Sequence, residues 1–89
     1  SFYEDDRKGQ VVIYKLFGGL AKRYNIRENE EITQYHLPEY IIVKNIGENK
    51  DELISRLLRY EDLCQIISPG HYKEEMKNTI KNMLRNYGE

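Results

Sequence analysis

The stretch Leu53–Tyr87 reads LISRLLRYEDLCQIISPGHYKEEMKNTIKNMLRNY and carries the clearest structural signals in the chain. It opens with apolar residues at the spacing of an amphipathic helix, which should pack under a sheet. These residues are Leu53, Ile54, Leu57 and Leu58, while Arg56 and Arg59 fall on the outer side of the same helix. The short apolar run Leu63–Ile67 then predicts a strand.

A second amphipathic helix is predicted after that strand. Ser68 is placed to cap it and Pro69 to occupy its first position, since both residue types are typical of helix starts. Apolar residues then recur at steps of three and four, with basic residues on the outer side. The apolar set is Tyr72, Met76, Ile80, Met83, Leu84 and Tyr87, and the basic set is Lys73, Lys77, Lys81 and Arg85. Gly88 is the expected stop.

Three more strands are predicted upstream. Gln10–Phe17 is rich in β-branched and aromatic residues and is apolar on both faces, which is typical of a central or covered strand. A Gly-Gly pair and a short helix follow, and the charged run Arg27–Glu31 is predicted to be a loop. Ile32–Leu37 and Tyr40–Ile46 are joined by a short turn, so we expect an antiparallel hairpin. Asn49 is the predicted cap of the leucine-rich helix.

The resulting order is strand, helix, strand, strand, helix, strand, helix. Its first six elements match the ferredoxin-like βαββαβ arrangement. We therefore predict an α+β fold with a four-stranded antiparallel sheet, two helices on one face and a C-terminal helix. The second sheet face also needs a cover, from the last helix, a partner chain or a neighbouring domain. Residues 1–9 are expected to be a linker or cut point, and residues 10–89 the folded domain.

Length and composition exclude several classes of function. The chain has 89 residues, of which 33% are charged, and a net charge of -1. This predicts one domain without the basic footprint of a dedicated nucleic-acid binder. Cys64 is the single cysteine, no stretch resembles a signal peptide, and every apolar run is too short to cross a bilayer. We expect a cytoplasmic protein without a membrane partner.

The sequence lacks the motifs of catalysis and metal binding. Cys64, His36 and His71 have none of the spacings of metal ligands. Ser68 is explained as a helix cap, and the Gly-Gly pair lacks the spacing of a phosphate-binding loop. We predict a domain that is not an enzyme and that needs no metal or cofactor.

Two binding functions stay open. Tyrosines on the predicted strands, Tyr14, Tyr35 and Tyr40, would let a sheet face stack bases of single-stranded nucleic acid, although the RNA-binding RNP1 pattern is absent. Alternatively, a small molecule would bind on a sheet or partner surface. The candidate residues of such a surface are Tyr14, Tyr35, His36, Lys44, Arg56 and Arg59.

The chain resembles the C-terminal extension domain (WCX) of WYL-domain proteins. The resemblance rests on a Leu-Leu-x-aromatic run, a short strand, a Pro-led helix and a final Met-Leu-x-x-Tyr. These features are Leu57–Tyr60, Leu63–Ile67, Ser68-Pro69 and Met83–Tyr87. The strand Val11–Phe17 and the hairpin Ile32–Ile46 fit as well, so the resemblance covers residues 10–87.

This resemblance implies a regulatory role in bacterial transcription. Proteins of the family carry a winged helix-turn-helix, then a WYL domain linked to nucleic-acid or nucleotide binding, then this extension. The extension is associated with ligand sensing and with contacts between protomers. The resemblance therefore implies a homodimer, contact with the WYL domain of the same chain, and a nucleotide or small-molecule effector. The W-Y-L residues and the helix-turn-helix are absent here, so DNA binding is expected only through an N-terminal part outside these 89 residues.

Overall fold

The computed structural model describes residues 10–88, so the predicted linker at residues 1–9 lies outside the described residues. The described residues form four strands, three α-helices and one 3₁₀ turn. They are β1 (Val11–Phe17), α1 (Gly18–Arg23), β2 (Glu30–His36), β3 (Tyr40–Ile46), α2 (Lys50–Leu58), a 3₁₀ turn (Glu61–Leu63), β4 (Cys64–Ser68) and α3 (Gly70–Arg85). Of the helices within residues 10–88, none is long and apolar enough to cross a membrane.

The four strands form one antiparallel sheet in the order β2-β3-β1-β4. Leu16 of β1 faces Ile41 of β3 on one side and Cys64 of β4 on the other. The strands β1 and β3 are therefore central, and β2 and β4 are the edges. This confirms the predicted α+β class, the four-stranded antiparallel sheet and the C-terminal helix.

The hydrophobic core lies between one face of the sheet and the helices. Alternate residues of β1 and β3 point into it, as the period of a strand requires. Leu53, Ile54 and Leu57 of α2 close the core from the other side and are buried, as predicted. The strand and α1 residues of the core are Val12, Tyr14, Leu16, Ala21, Ile41, Val43 and Ile66.

The two predicted helix caps have different outcomes. The Asn49 side chain accepts a hydrogen bond of 3.0 Å from the backbone N–H of Glu52, which confirms it as the cap of α2. The prediction that Ser68 caps α3 is wrong. Ser68 still belongs to β4 and faces Ile13 of β1, so α3 begins at Gly70 with Pro69 before it and no side-chain cap.

The helix α3 packs on the same side of the sheet as α2. Tyr72 is buried, and Met76 lines a small cavity together with Leu57 of α2. Because α3 lies there, it is not the cover of the other sheet face. We call that other face of the two central strands the open face. It consists of Val11, Ile13, Lys15 and Phe17 of β1 and Tyr40, Ile42, Lys44 and Ile46 of β3.

Candidate functional site

A group of polar side chains lies buried between the sheet and α2, and we call it the polar cluster. Its members come from β1, β2, β3 and α2 and from the loops between the elements. They are Tyr14, Tyr24, Glu30, Asn45, Glu48, Arg56 and Tyr60.

Arg56 is the centre of the polar cluster. We predicted it on the outer side of α2, and that prediction is wrong, because the residue is only 5% exposed. Its Nη2 lies 2.7 Å from Glu48 Oε1 and 3.3 Å from Glu30 Oε2. Two carboxylates compensate the buried guanidinium, and this is the condition under which a charged side chain is tolerated in a core.

Glu30 receives hydrogen bonds from three directions. The Tyr14 hydroxyl donates to it, the Tyr24 hydroxyl donates to both carboxylate oxygens at 2.7 and 2.8 Å, and the backbone N–H of Arg27 donates at 2.8 Å. Arg56 Nη1 in turn donates to the Tyr24 hydroxyl at 3.0 Å. The carboxylate is therefore held by neutral donors as well as by the guanidinium.

Asn45 connects the sheet to the loop before α2. Its Nδ2 donates to the Tyr14 hydroxyl at 3.1 Å and to Glu48 Oε1 at 2.9 Å. Its Oδ1 accepts from Asn29 Nδ2 at 3.1 Å. This bridge fixes Glu48 in the position from which its carboxylate contacts Arg56.

The ionisation of the polar cluster follows from these contacts. Burial and the hydrogen bond to Glu30 raise the pKa of Tyr14 and of Tyr24, so both hydroxyls stay protonated donors. Burial works against the charged form of Glu48, but hydrogen bonds from Arg56 and Asn45 outweigh it and lower the pKa of that carboxyl. At neutral pH Glu48 is therefore charged, and the hydroxyls of Tyr14 and Tyr24 are neutral.

A cleft of about 390 Å³ opens beside the polar cluster at the first turns of α2. Its lining is balanced in charge and consists of Arg27, Arg56, Arg59, Glu48, Asp51, Glu52 and Ser55. Among the described residues, no buried side-chain nitrogen or oxygen lacks a hydrogen-bond partner. The buried atoms of the cluster are therefore hydrogen-bonded, and their contacts are those of a structural network.

The structure brings together only part of the predicted candidate surface. Tyr14 and Arg56 meet in the polar cluster, where both are buried, and Arg59 lies on the rim of the cleft. Tyr35 is 66% exposed near the end of β2. The candidate His36 lies at the end of β2, and the candidate Lys44 lies on the open face.

Sequence reasoning missed Glu30 and Asn45 as members of a buried network. Glu30 belongs to β2, not to the predicted charged loop. It lies two positions before Ile32, and Asn45 lies two positions after Val43, so both are in phase with inward-facing residues. That phase is the signal that could have found them.

The open face carries aromatic and basic side chains. Lys15 Nζ lies 3.9 Å from the ring centroid of Tyr40 and 5.6 Å from that of Phe17. The His36 ring stacks on the Tyr40 ring with 4.7 Å between centroids. Tyr40 is thus already contacted by a cation and by a second ring.

The C-terminal half of α3 and the turn after it present a second apolar surface, which we call the C-terminal stripe. Its four side chains expose between 45% and 85% of their surface, and they line a shallow recess of about 260 Å³ without any polar residue. They are Ile80, Met83, Leu84 and Tyr87. This stripe continues beyond the part of α3 that packs on the core.

The described part of the chain supports neither a reactive thiol at Cys64 nor a metal site. Burial raises the pKa of the Cys64 thiol to about 12, although the charge of Arg56 lowers it. Within residues 10–88, no group of three or more His, Cys, Asp or Glu side chains lies close enough to hold a metal ion.

Comparison with known proteins does not assign the chain to a family, since no family model and no curated protein matches it.

Proposed function

We propose that this chain is a regulatory domain that pairs two copies of a WYL-type transcriptional regulator through the C-terminal stripe. The exposed stripe is the observation that carries the proposal. Its four side chains expose on the order of 400 Å² of apolar surface, as large as the largest patch of a typical monomer. Such a surface at the end of a well-formed helix favours a protein partner.

A second copy of the chain is the partner that we propose. Thr79 and Asn86 flank one side of the stripe, and Lys81 lies on the opposite flank, as the rotation of 100° per residue requires. Two copies of α3 can therefore approach along the uncharged flank without repulsion between like charges. A two-fold axis makes such a contact self-complementary.

The size of the stripe predicts a weak dimer. Two copies would bury roughly 800 Å² in total, less than the ~1,200 Å² at which stable interfaces begin. The isolated domain should therefore exchange between monomer and dimer, and other domains of a full regulator would add to the interface.

The topology of the fold supports the proposal that the chain is a domain of a transcriptional regulator. We infer a ferredoxin-like arrangement, which the βαββαβ order and the sheet order β2-β3-β1-β4 support. This is the fold that the resemblance to WCX domains implies. Regulation without catalysis is also part of the proposal, and the DNA-binding role would belong to a helix-turn-helix outside these residues.

Effector sensing in the cleft is supported less well than pairing. Two of the charged side chains that line the cleft, Arg56 and Glu48, already bind each other. A ligand that recruits either of them would have to break this ion pair, which typically costs several kcal/mol.

Sedimentation velocity tests the pairing directly. A dilution series of the 89-residue chain from about 1 mM to about 10 µM spans the dissociation constants of weak interfaces. We expect the weight-average sedimentation coefficient to fall reversibly on dilution from the dimer value towards the monomer value. A monomer at every concentration would contradict the proposal.

Single-stranded nucleic-acid binding is the second candidate function, and the open face favours it. Phe17, Tyr40 and His36 lie on or beside the two central strands together with Lys15 and Lys44. Aromatic rings among basic side chains form stacking platforms in such proteins. A base on Tyr40 would, however, have to displace Lys15 or His36.

Fluorescence anisotropy with random single-stranded oligonucleotides separates the two candidates. Electrostatic binding is strongest at low salt, so a titration near 50 mM salt gives this function its best chance. Oligonucleotide binding that is lost in Phe17→Ala would support this function. The absence of binding at that salt concentration would contradict it.

A further inference from the structure

The strand β4 leaves one of its edges unpaired among the described residues. It pairs with β1 on one side, and no described strand lies on the other. In an antiparallel sheet, alternate N–H and C=O groups of an edge strand point outwards and can pair with another extended chain. The outer edge of β4 is therefore a template for backbone hydrogen bonds.

A groove runs along this edge, between β4 and the first half of α3. It has a volume of about 250 Å³. Its walls are Cys64, Gln65 and Ile66 of β4 and Lys73, Met76, Lys77 and Ile80 of α3. The four α3 residues follow the i, i+3, i+4, i+7 spacing of a single helix face. No carboxylate lines the groove, and two lysines do, of which Lys77 forms an exposed ion pair of 3.4 Å with Glu74 on the same helix.

The floor of the groove continues into a smaller cavity, which is lined by apolar side chains and by Glu61. This cavity has a volume of about 50 Å³, and Cys64, Ile66, Met76 and Ile80 line both it and the groove. Leu57 and Leu58 of α2 form its inner wall. The floor is therefore shaped for a short aliphatic side chain.

We propose that this groove binds an extended peptide, which adds a fifth strand to the sheet at β4. An aliphatic side chain of the peptide enters between Ile66 and Met76. Acidic side chains two residues away on the same face of the peptide meet Lys73 and Lys77. Strand addition of this kind draws its affinity from main-chain hydrogen bonds and its specificity from pockets for alternate side chains.

The chemistry of the groove favours an extended acidic peptide over two other occupants, a compact apolar ligand and a second copy of the chain. A compact apolar ligand would fill the floor but leave the outward backbone groups of β4 unpaired. A second copy would pair with those groups, but a two-fold axis at β4 would bring Lys73 and Lys77 of both copies towards each other. Juxtaposed like charges disfavour such a contact.

The test is a titration of the ¹⁵N-labelled chain with acetyl-Glu-Thr-Val-Thr-Glu-amide, followed by amide chemical shifts. This peptide reads the same in both directions, so it fits either polarity of strand pairing. We expect saturable shifts in β4 and in residues 73–80. A peptide N-methylated on every backbone nitrogen cannot donate hydrogen bonds to an edge strand, and it should cause none of these shifts.

Charge-reversal variants supply the control. Lys73→Glu/Lys77→Glu should weaken the peptide about tenfold through repulsion of its carboxylates. Lys22→Glu/Lys81→Glu changes the net charge equally but lies away from the groove walls, and it should bind as the wild type does. If both double variants weakened peptide binding equally, the effect would come from net charge alone, and the proposal would be overturned.

Three further outcomes would also overturn the proposal. The first is the absence of amide shifts at about 1 mM peptide, and the second is equal shifts with the N-methylated peptide. The third is shifts in β4 that grow with protein concentration alone, because these would make a second copy of the chain the occupant of the groove. The groove and the C-terminal stripe share Ile80, whereas Met83, Leu84 and Tyr87 belong to the stripe alone. Met83→Glu/Leu84→Glu should abolish the dimer and leave peptide binding unchanged, so the failure of one is distinguishable from the failure of the other.

Discussion

Arg56 of α2 and Glu30 of β2 form an ion pair of 3.3 Å, although the Arg56 side chain is only 6% exposed and that of Glu30 is fully buried. The pair links a helix to the edge strand β2, which two strands separate from β4. Tyr14 of the central strand β1 hydrogen-bonds to both partners. The polar cluster thus fixes α2 over the sheet, and this helix in turn forms the inner wall beneath the groove at α3.

Removing the guanidinium should destabilise the domain strongly. Arg56→Met keeps much of the side-chain volume but leaves the carboxylates of Glu30 and Glu48 without their cation. We expect a loss of about 3–5 kcal/mol in the free energy of unfolding, as for other buried pairs that lose one partner. Urea denaturation followed by circular dichroism measures it.

Arg59→Met is the matched control, because Arg59 is exposed on the same helix. Its cost should stay within about 0.5 kcal/mol. Equal costs at the two positions would mean that the buried pair has no special role.

Acid should remove the contribution of Glu48 to stability. Its pKa in the folded chain is lowered from the usual 4.5. The stabilisation is therefore complete above about pH 4.5 and is lost as the pH falls through the lower folded value. Glu48→Gln should make the unfolding free energy depend less steeply on pH below that point.

Leu57→Ala tests the packing of α2 against the sheet. Leu57 is 1% exposed, so truncation removes buried methyl groups and leaves a cavity beside the small one at Met76. We expect a loss of about 2–4 kcal/mol in unfolding free energy. Leu58 is only half-buried, and Leu58→Ala should cost less. A loss below about 1 kcal/mol at Leu57 would contradict this account of the core.

The Cys64 thiol should be nearly inert in the folded domain. Because burial raises its pKa to about 12, almost none of the reactive thiolate exists at pH 8. Alkylation by iodoacetamide, followed by mass spectrometry, should be on the order of 100-fold slower in buffer than in denaturing urea. Equal rates would show that β4 opens to solvent.

Periodicity explains why the elements were predictable from the sequence. The leucine stripe of α2 is a local signal that leads to the observed buried face. The apolar run of β3 indicates a strand, but because it is apolar on both faces it does not indicate which face is buried. Ser68 was misassigned because a capping residue type says nothing about whether the preceding strand has ended. In the structure, strand pairing with Ile13 holds Ser68 in β4.

The polar cluster was not predictable in the same way. Arg56 and Glu30 are 26 residues apart, so no local pattern indicates that they compensate each other. A charged residue beside a helical stripe is normally solvated, and this rule led to the outward placement of Arg56. The C-terminal stripe was visible in the sequence, but only the position of α3 reveals which of its residues the core covers.

Sedimentation velocity of two charge-matched variants tests pairing through the C-terminal stripe most directly. Met83→Glu/Leu84→Glu places two carboxylates in the stripe, and Asn78→Glu/Arg85→Gln makes the same change in net charge on the opposite side of α3. We predict that the wild type and the second variant form dimers at about 1 mM, while the first stays monomeric. A dimer that survives Met83→Glu/Leu84→Glu, or a wild type that is monomeric at that concentration, would contradict the account.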